Sequence, residues 1–194
     1  MLKSVRIMLA IAAFHDYEIW QIDVKTAFLN GLLKEELYMM QPEGFFYPKG
    51  TNKVCKLQRS IYGLVQASRS WNIRFDEVIK AFGFIQTYGE ACICKKVIGS
   101  SVAFLKLYVD DILMIGNDIE FLDSIKGYLN NNFSVKYLGE AAYILGIKIY
   151  RDRSRRLIGL SQRTYLGKVL KKFKMDQSKI GFLPMLQGLK LSQA

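Results

Sequence analysis

Two apolar runs flank a short polar interruption near the middle of the chain. Residues 102–107, broken by Lys106, and residues 112–115 are rich in Val, Ile, Leu and Phe, and Tyr108-Val109-Asp110-Asp111 separates them. β-Branched and aromatic residues favour strands, and Asp tolerates tight turns because its carboxylate accepts from nearby backbone amides. The pattern predicts a hairpin with two acids at its tip. Upstream, residues 5–14 read as a helix and residues 17–24 as a strand whose end holds Asp23. Residues 29–37 are predicted as a short helix, and 38–40 and 54–57 as strands, with Pro42, Gly44, Pro48 and Gly50 marking loops around Phe45-Phe46-Tyr47. Trp71, Phe75, Val78, Ile79 and Phe82 fall on one helical face, with Ser68 or Ser70 to cap its start and Gly83 to end it.

Residues 91–97 and 102–108 are expected as strands joined through Gly99-Ser100, and Asp118 as the cap of a helix bearing Phe121, Leu122, Ile125 and Leu129 on one side. Residues 143–150 and 157–160 should pair as strands across a basic turn at 152–156. Ser161 opens a last helix with Leu166, Val169, Leu170 and Phe173 on its apolar side. Nothing regular is predicted after Lys174. With no internal repeat, low-complexity tract or linker, the chain reads as one domain of α+β layers.

Composition supports a folded core and narrows the chemistry. The 194 residues are 51% hydrophobic and 13% aromatic, enough to bury a core. Cys55, Cys92 and Cys94 lack C-x-x-C spacing, and the single His15 excludes a multi-histidine metal site. Free thiols in a reducing compartment follow, with Cys92 and Cys94 sharing one strand face as core packing. Lys3 and Arg6 ahead of residues 7–14 faintly imitate a signal peptide, yet the same residues make a core helix leading into a strand. No apolar run approaches the ~18 residues of a membrane span, so the expected setting is cytoplasmic or nuclear, without secretion or a membrane partner.

Charge adds a partner class. Of the net charge of +11, residues 148–179 carry +9, with eleven Lys or Arg against Asp152 and Asp176. Such clustering suits a polyanion, since each phosphate neutralised releases counterions; a solvated basic surface is the alternative.

The acids suggest chemistry. Two carboxylates about 4 Å apart repel by roughly 4 kcal/mol at an effective dielectric near 20, so such a site binds protons or recruits a cation. Oxygen ligands select Mg²⁺ or Mn²⁺ over zinc. An Asp-Asp turn alone is equally a solvated turn, and a third acid is needed. Asp23 supplies it at a strand end, followed by Lys25-Thr26-Ala27-Phe28, where amides and an aromatic could hold a metal-bound phosphate chain. Phe28 by itself reads as core.

Four motifs occur in order: Asp23-Val24-Lys25-Thr26-Ala27-Phe28-Leu29-Asn30-Gly31, Ile61-Tyr62-Gly63-Leu64-Val65-Gln66-Ala67, Leu107-Tyr108-Val109-Asp110-Asp111 and Tyr143-Ile144-Leu145-Gly146-Ile147-Lys148-Ile149. Together they resemble copia-type retrotransposon reverse transcriptases over nearly the whole chain, from about residue 5 to 191. The resemblance implies a right-hand polymerase palm, an antiparallel sheet with helices packed on one face, and part of the fingers. It implies RNA-directed DNA polymerase activity on an RNA or DNA template-primer with deoxynucleoside triphosphates, within a larger polyprotein in a virus-like particle or the nucleus. Asp23, Asp110 and Asp111 would form the acidic triad and hold two Mg²⁺ or Mn²⁺ ions. Val24, Lys25, Thr26, Ala27, Phe28 and Gln66 would lie against the nucleotide, with Phe28 as the aromatic gate against a 2′-hydroxyl. Tyr62, Gly63, Tyr108, Leu145 and Gly146 would contact template or primer, and Lys136 is a candidate general acid for pyrophosphate; the alternatives are a turn leading into the Trp71 helix, a simple strand pair at 145–147 and an exposed lysine at 136.

The pattern is not followed everywhere. Val65 stands where the family usually has Lys, Ser68 where it has Pro, and Glu90-Ala91-Cys92 where an Ala-Asp-x-Cys signature is usual. Gly167 inside the last helix costs roughly 1 kcal/mol relative to Ala. Most of the fingers would precede Met1, and thumb and ribonuclease H regions would follow Ala194. Weak, non-processive extension is therefore expected, with a catalytically silent nucleic-acid-binding remnant as the alternative. A cyclase-like palm enzyme is disfavoured, because Tyr-Val-Asp-Asp replaces the Gly-Gly-rich turn expected there.

Overall fold

The computed structural model describes residues 2–45 and 53–179. Phe46, Tyr47, Pro48 and Gly50 of the predicted loop lie outside the described residues. The chain runs α1 (Leu2–His15), β1 (Glu18–Val24), a 3₁₀ turn (Ala27–Asn30), β2 (Tyr38–Met40), β3 (Val54–Lys56), α2 (Ala67–Ala81) and β4 (Ile85–Thr87). It continues through β5 (Glu90–Ile98), β6 (Ser101–Tyr108), β7 (Asp111–Gly116), α3 (Ile119–Asn132) and β8 (Val135–Glu140) to β9 (Tyr143–Ile144), β10 (Ile147–Asp152), β11 (Leu157–Ser161) and α4 (Arg163–Lys172). A six-stranded sheet in the order β4-β5-β6-β7-β1-β8 is antiparallel at every pairing. β11-β10-β9 form a second sheet, and β2-β3 a two-stranded ribbon.

Helices cover both faces of the main sheet, which corrects the expectation of helices on one face. Ile22, Val24, Leu105, Leu107, Ile112 and Met114 pack with Trp71, Phe75 and Ile79 of α2 and Leu122, Ile125 and Leu129 of α3. On the opposite face, Ile19, Leu113 and Ile115 pack with Val5, Met8, Leu9 and Ala12 of α1 and with Ile144 and Ile149 of the smaller sheet. The cause is visible in β7. Ile112, Leu113, Met114 and Ile115 are all fully buried, so this strand needs cover on both sides and carries no polar alternation.

Local chemistry accounts for the other departures. The expected helix at 29–37 stops after the 3₁₀ turn, because Gly31 turns extended (φ −73°, ψ 134°) and Leu32 bridges to Arg59. A Cβ on Gly31 would stand 2.9 Å from Ser70 Cβ and the Trp71 amide nitrogen, so this backbone lies against α2. Neither Ser68 nor Ser70 caps α2, whose N-cap position is Gln66 without a side-chain cap bond. Asp118 does cap α3, accepting from the Phe121 amide at 3.1 Å. The stretch 143–150 is two strands rather than one, folded back at Leu145 and Gly146, whose φ values are +53° and +73°. Positive φ at both central residues matches the mirror-image turns that join tight hairpins.

Candidate active site

Strand register assembles the acids. Asp23, near the end of β1, pairs with Asp111 at the start of β7. Tyr108 closes the β6-β7 hairpin opposite Asp111, and Lys136 of β8 pairs with Asp23. Directly opposed residues of antiparallel strands project to the same face, about 4.5–5.5 Å apart at Cβ. Lys136, Asp23, Asp111 and Tyr108 therefore form one row across β8, β1, β7 and β6. Alternation along β7 puts the row on the face of Leu113 and Ile115.

A bulge sets part of this row. Between Gln21 and Ile22 the β1-β8 register slips: Gln21 faces Gly139 while Ile22 faces Tyr137, leaving Leu138 as the extra residue. Gly139 adopts φ +84°, which a residue without a Cβ reaches easily. Without the slip, Tyr137 rather than Lys136 would stand opposite Asp23.

Asp110 lies in the hairpin turn, which is held from two sides. The indole Nε1–H of Trp71 donates to the Val109 carbonyl at 2.5 Å, and the Val24 amide donates to the Asp110 carbonyl at 2.7 Å. Val109 has φ +55°, an uncommon conformation for a β-branched residue that persists where the surroundings enforce it. Gln21 Nε2 donates to Asp111 Oδ1 at 2.9 Å.

The remaining expected site residues spread outward from the row. Val24 is buried, and the Lys25 amide donates to the Ser134 carbonyl at 2.8 Å. Thr26 is left-handed (φ 49°, ψ 47°) and leads into the 3₁₀ turn, where Ala27 is fully buried. Phe28 meets Tyr62, with ring centroids 4.5 Å apart, so two residues from different motifs come together. Gly63, just after, has φ +97°. Gln66 lines a cavity of about 320 Å³ with Leu32, Lys34, Arg69 and Arg74, and none of the row's acids takes part. Leu145 and Gly146 line a groove of about 530 Å³ with Tyr143 and with Tyr165 and Lys168 of α4.

A profile described as reverse transcriptase (RNA-dependent DNA polymerase) matches residues 1–187. The chain belongs to the reverse transcriptase family. Among its relatives is the retrovirus-related Pol polyprotein from transposon TNT 1-94 of Nicotiana tabacum, 44% identical over 99% of this chain and 14% of that protein. The Pol polyprotein from transposon RE1 of Arabidopsis thaliana is 37% identical over 97% of this chain and 13% of its own length. A putative transposon Ty5-1 protein of Saccharomyces cerevisiae is 30% identical over 84% of this chain and 53% of its own. The copia-type resemblance carried by the motifs is upheld, and the chain spans about a seventh of the plant polyproteins it matches. No solved structure matches. Among the described residues, no helix is long and apolar enough to cross a membrane.

The metal that reverse transcriptases use can be tested against this donor set. Asp23, Asp110 and Asp111 offer only oxygen, the ligand hard cations take. Among the described residues, no three His, Cys, Asp or Glu side chains converge as a ready-made metal cage. Mg²⁺ does not need one: it is commonly held by one or two carboxylates completed by substrate phosphates and water. The donor chemistry fits the ion, as an open site.

Sequence reasoning misses three side chains that meet the acidic row, its turn or its sheet face. Trp71 reads only as core, although an indole N–H in a buried position requires an acceptor. Gln21 is a polar residue two positions before Asp23 on the same strand face, a signal that alternation exposes. Lys106, in sequence only a break in an apolar run, is buried on the face of Tyr108 and pairs with Glu90 at 3.0 Å, while the Ser4 hydroxyl also donates to Glu90. The Ser4 hydroxyl, then the Lys106 ammonium, hold the Glu90 carboxyl below its ordinary value of 4.5. Glu90, part of a departure from the family pattern, thus ties α1 to β5 and β6.

Proposed function

We propose that this chain is the palm, with part of the fingers, of an RNA-directed DNA polymerase that extends a primer on an RNA or DNA template. The observation that carries this reading is the row of Lys136, Asp23, Asp111 and Tyr108, with Asp110 in the pinned turn beside it. Two Mg²⁺ or Mn²⁺ ions, when bound, supply Lewis-acid stabilisation of the attacking 3′-hydroxyl and of the triphosphate. Asp23 and Asp110 would hold them, with Asp111 adding negative charge alongside.

Most of the other parts would serve positioning. The backbone from Val24 through Lys25 and Thr26 to Ala27 would lie against the triphosphate, and Phe28, braced by Tyr62, would exclude a 2′-hydroxyl. Gly63 and Gln66 would support the template base and incoming nucleotide. Tyr108 and the Leu145-Gly146 turn would contact the primer. Lys136, the register partner of Asp23, would be the candidate to pass a proton to departing pyrophosphate. Alignment and charge neutralisation, without a covalent intermediate, would then lower the barrier. The substrates are deoxynucleoside triphosphates and a template-primer, and the physical setting is a Pol polyprotein.

Primer extension on an RNA template with Mg²⁺ or Mn²⁺ tests the reading. Asp110→Asn should cut incorporation at least about a hundredfold, in keeping with the several kcal/mol such ions supply. Equal incorporation by both proteins would remove the metal mechanism. Template binding with a steep salt slope and no extension by either would instead identify a silent nucleic-acid-binding relative.

A further inference from the structure

We infer that Gln21 is a positioning residue for the acidic row, holding Asp111 so that Asp23 and Asp110 are the pair left open to cations. The inference rests on the polymerase reading above. Its basis is the partly buried bond from Gln21 Nε2 to Asp111 Oδ1 at 2.9 Å.

Register explains why these two side chains meet. Gln21 pairs with Leu113 and Asp23 with Asp111, which makes Gln21 the diagonal neighbour of Asp111 on one face. Diagonal positions are about 7–8 Å apart, within reach of a long side chain. Across the other edge of β1, Gln21 faces Gly139, which offers no side chain to compete for its amide. Ile19 and Leu113, on the same face, are fully buried apolar neighbours, so an aliphatic residue at 21 would suit local packing. A polar amide there costs free energy unless it is bonded, and the acid provides that bond.

The consequence concerns charge. Asp23 and Asp111 stand opposite one another and repel. A donor to Asp111 offsets that repulsion and occupies one carboxylate oxygen, a charge-assisted bond that fixes the side chain. Asp111 then acts as an oriented neighbouring charge. Metal sites depend on such outer partners, whose removal commonly costs about 10–100-fold in affinity or activity.

The experiment titrates the full 194-residue chain with Mn²⁺, reading free ion by electron paramagnetic resonance, beside primer extension and thermal unfolding. Gln21→Leu and the near-isosteric, uncharged Gln21→Met should each weaken Mn²⁺ binding about tenfold or more, outside any change in unfolding temperature. On an Asp111→Ala background, Gln21→Leu should add nothing, since it acts through that residue. Wild-type Mn²⁺ affinity in both Gln21 variants, or an equal further loss on the Asp111→Ala background, overturns the inference. Asp110→Asn separates the two levels. If it keeps wild-type Mn²⁺ affinity, the polymerase reading falls and this inference with it; if it loses affinity while the Gln21 variants do not, only the role of Gln21 falls.

Discussion

At the residue scale, an indole holds one side of the turn that carries Asp110. Trp71 fills the core between Phe75 and Phe133, and its N–H also satisfies the Val109 carbonyl beneath the acid. Trp71→Phe removes that donor and also shrinks a ring buried in the core, so it adds a cavity to the lost bond. We predict a loss of at least about 1–3 kcal/mol, from the lost bond and the cavity together, read from urea denaturation. Extension should fall further than this lost stability explains, because Val109 at φ +55° loses the bond that holds it. A second residue-scale consequence concerns Glu90 and Lys106. The lysine side chain is only 3% exposed and the glutamate 39%, so the pair is a buried cation reaching a partner near the surface. The folded Glu90 carboxyl lies below its unfolded value of 4.5, so its stabilisation is present above pH 4.5 and is lost as pH falls through the lower folded value. Glu90→Gln should therefore lower the unfolding temperature near neutral pH, and the gap to wild type should close on acidification below pH 4.5. A gap that persists unchanged in acid would show that Glu90 acts through packing instead. Removing the glutamate should also cost more than Lys106→Met, because the first leaves a buried ammonium without its partner and the second leaves an exposed acid.

At the element scale, the β8 bulge decides which side chain meets Asp23. A Cβ at Gly139 would touch nothing within 4 Å, so Gly139→Ala meets no clash and incurs only the strain of its φ of +84°. The expected cost is about 1–2 kcal/mol, measured by denaturant unfolding. If the bulge relaxes, Tyr137 moves opposite Asp23 and extension drops out of proportion to stability; if extension merely tracks stability, Lys136 has no part in the chemistry. This dependence on a bulge marks the limit of local sequence patterns. The hairpin tip, the strand ending at Asp23, the α2 stripe from Trp71 to Ile79 and the Asp118 cap are legible, because each rests on local periodicity or one capping side chain. β4 is not, since Ile85-Gln86-Thr87 is too short to show a period. β8 is not, since Val135 to Glu140 crosses a register slip that breaks alternation. The cover on both sheet faces is written in the unbroken run from Ile112 to Ile115, which a strand with one wet face would not carry. The Gln21–Asp111 bond depends on the pairing register of two distant strands, which no local pattern encodes.

At the scale of the whole molecule, charge is unevenly used. Within the +9 segment, Arg151 binds Asp16 and Arg153 binds Asp16 and Glu18, which ties β10 to the junction of α1 and β1. Those two arginines are matched by acids within the fold. Lys168, Lys171 and Lys172 differ: among the described residues they form no ion pair, and α4, which carries them, has no buried residue. Lys168 also lines the groove beside Leu145 and Gly146, so the cationic helix borders the turn proposed to contact the primer. Replacing Lys168, Lys171 and Lys172 together by Glu should weaken binding of a template-primer duplex. The slope of log affinity against log salt should shrink in magnitude by about 0.9 for each phosphate that the variant no longer neutralises. Mn²⁺ affinity of the acidic row should stay at its wild-type value, because these lysines stand outside it. An unchanged salt slope in the triple variant would show that α4 is a solvated basic surface, and that the polyanion is held by the other basic residues. Loss of Mn²⁺ affinity in the same variant would mean that α4 supports the row through the fold, and a circular dichroism comparison of the two proteins would then show the altered structure.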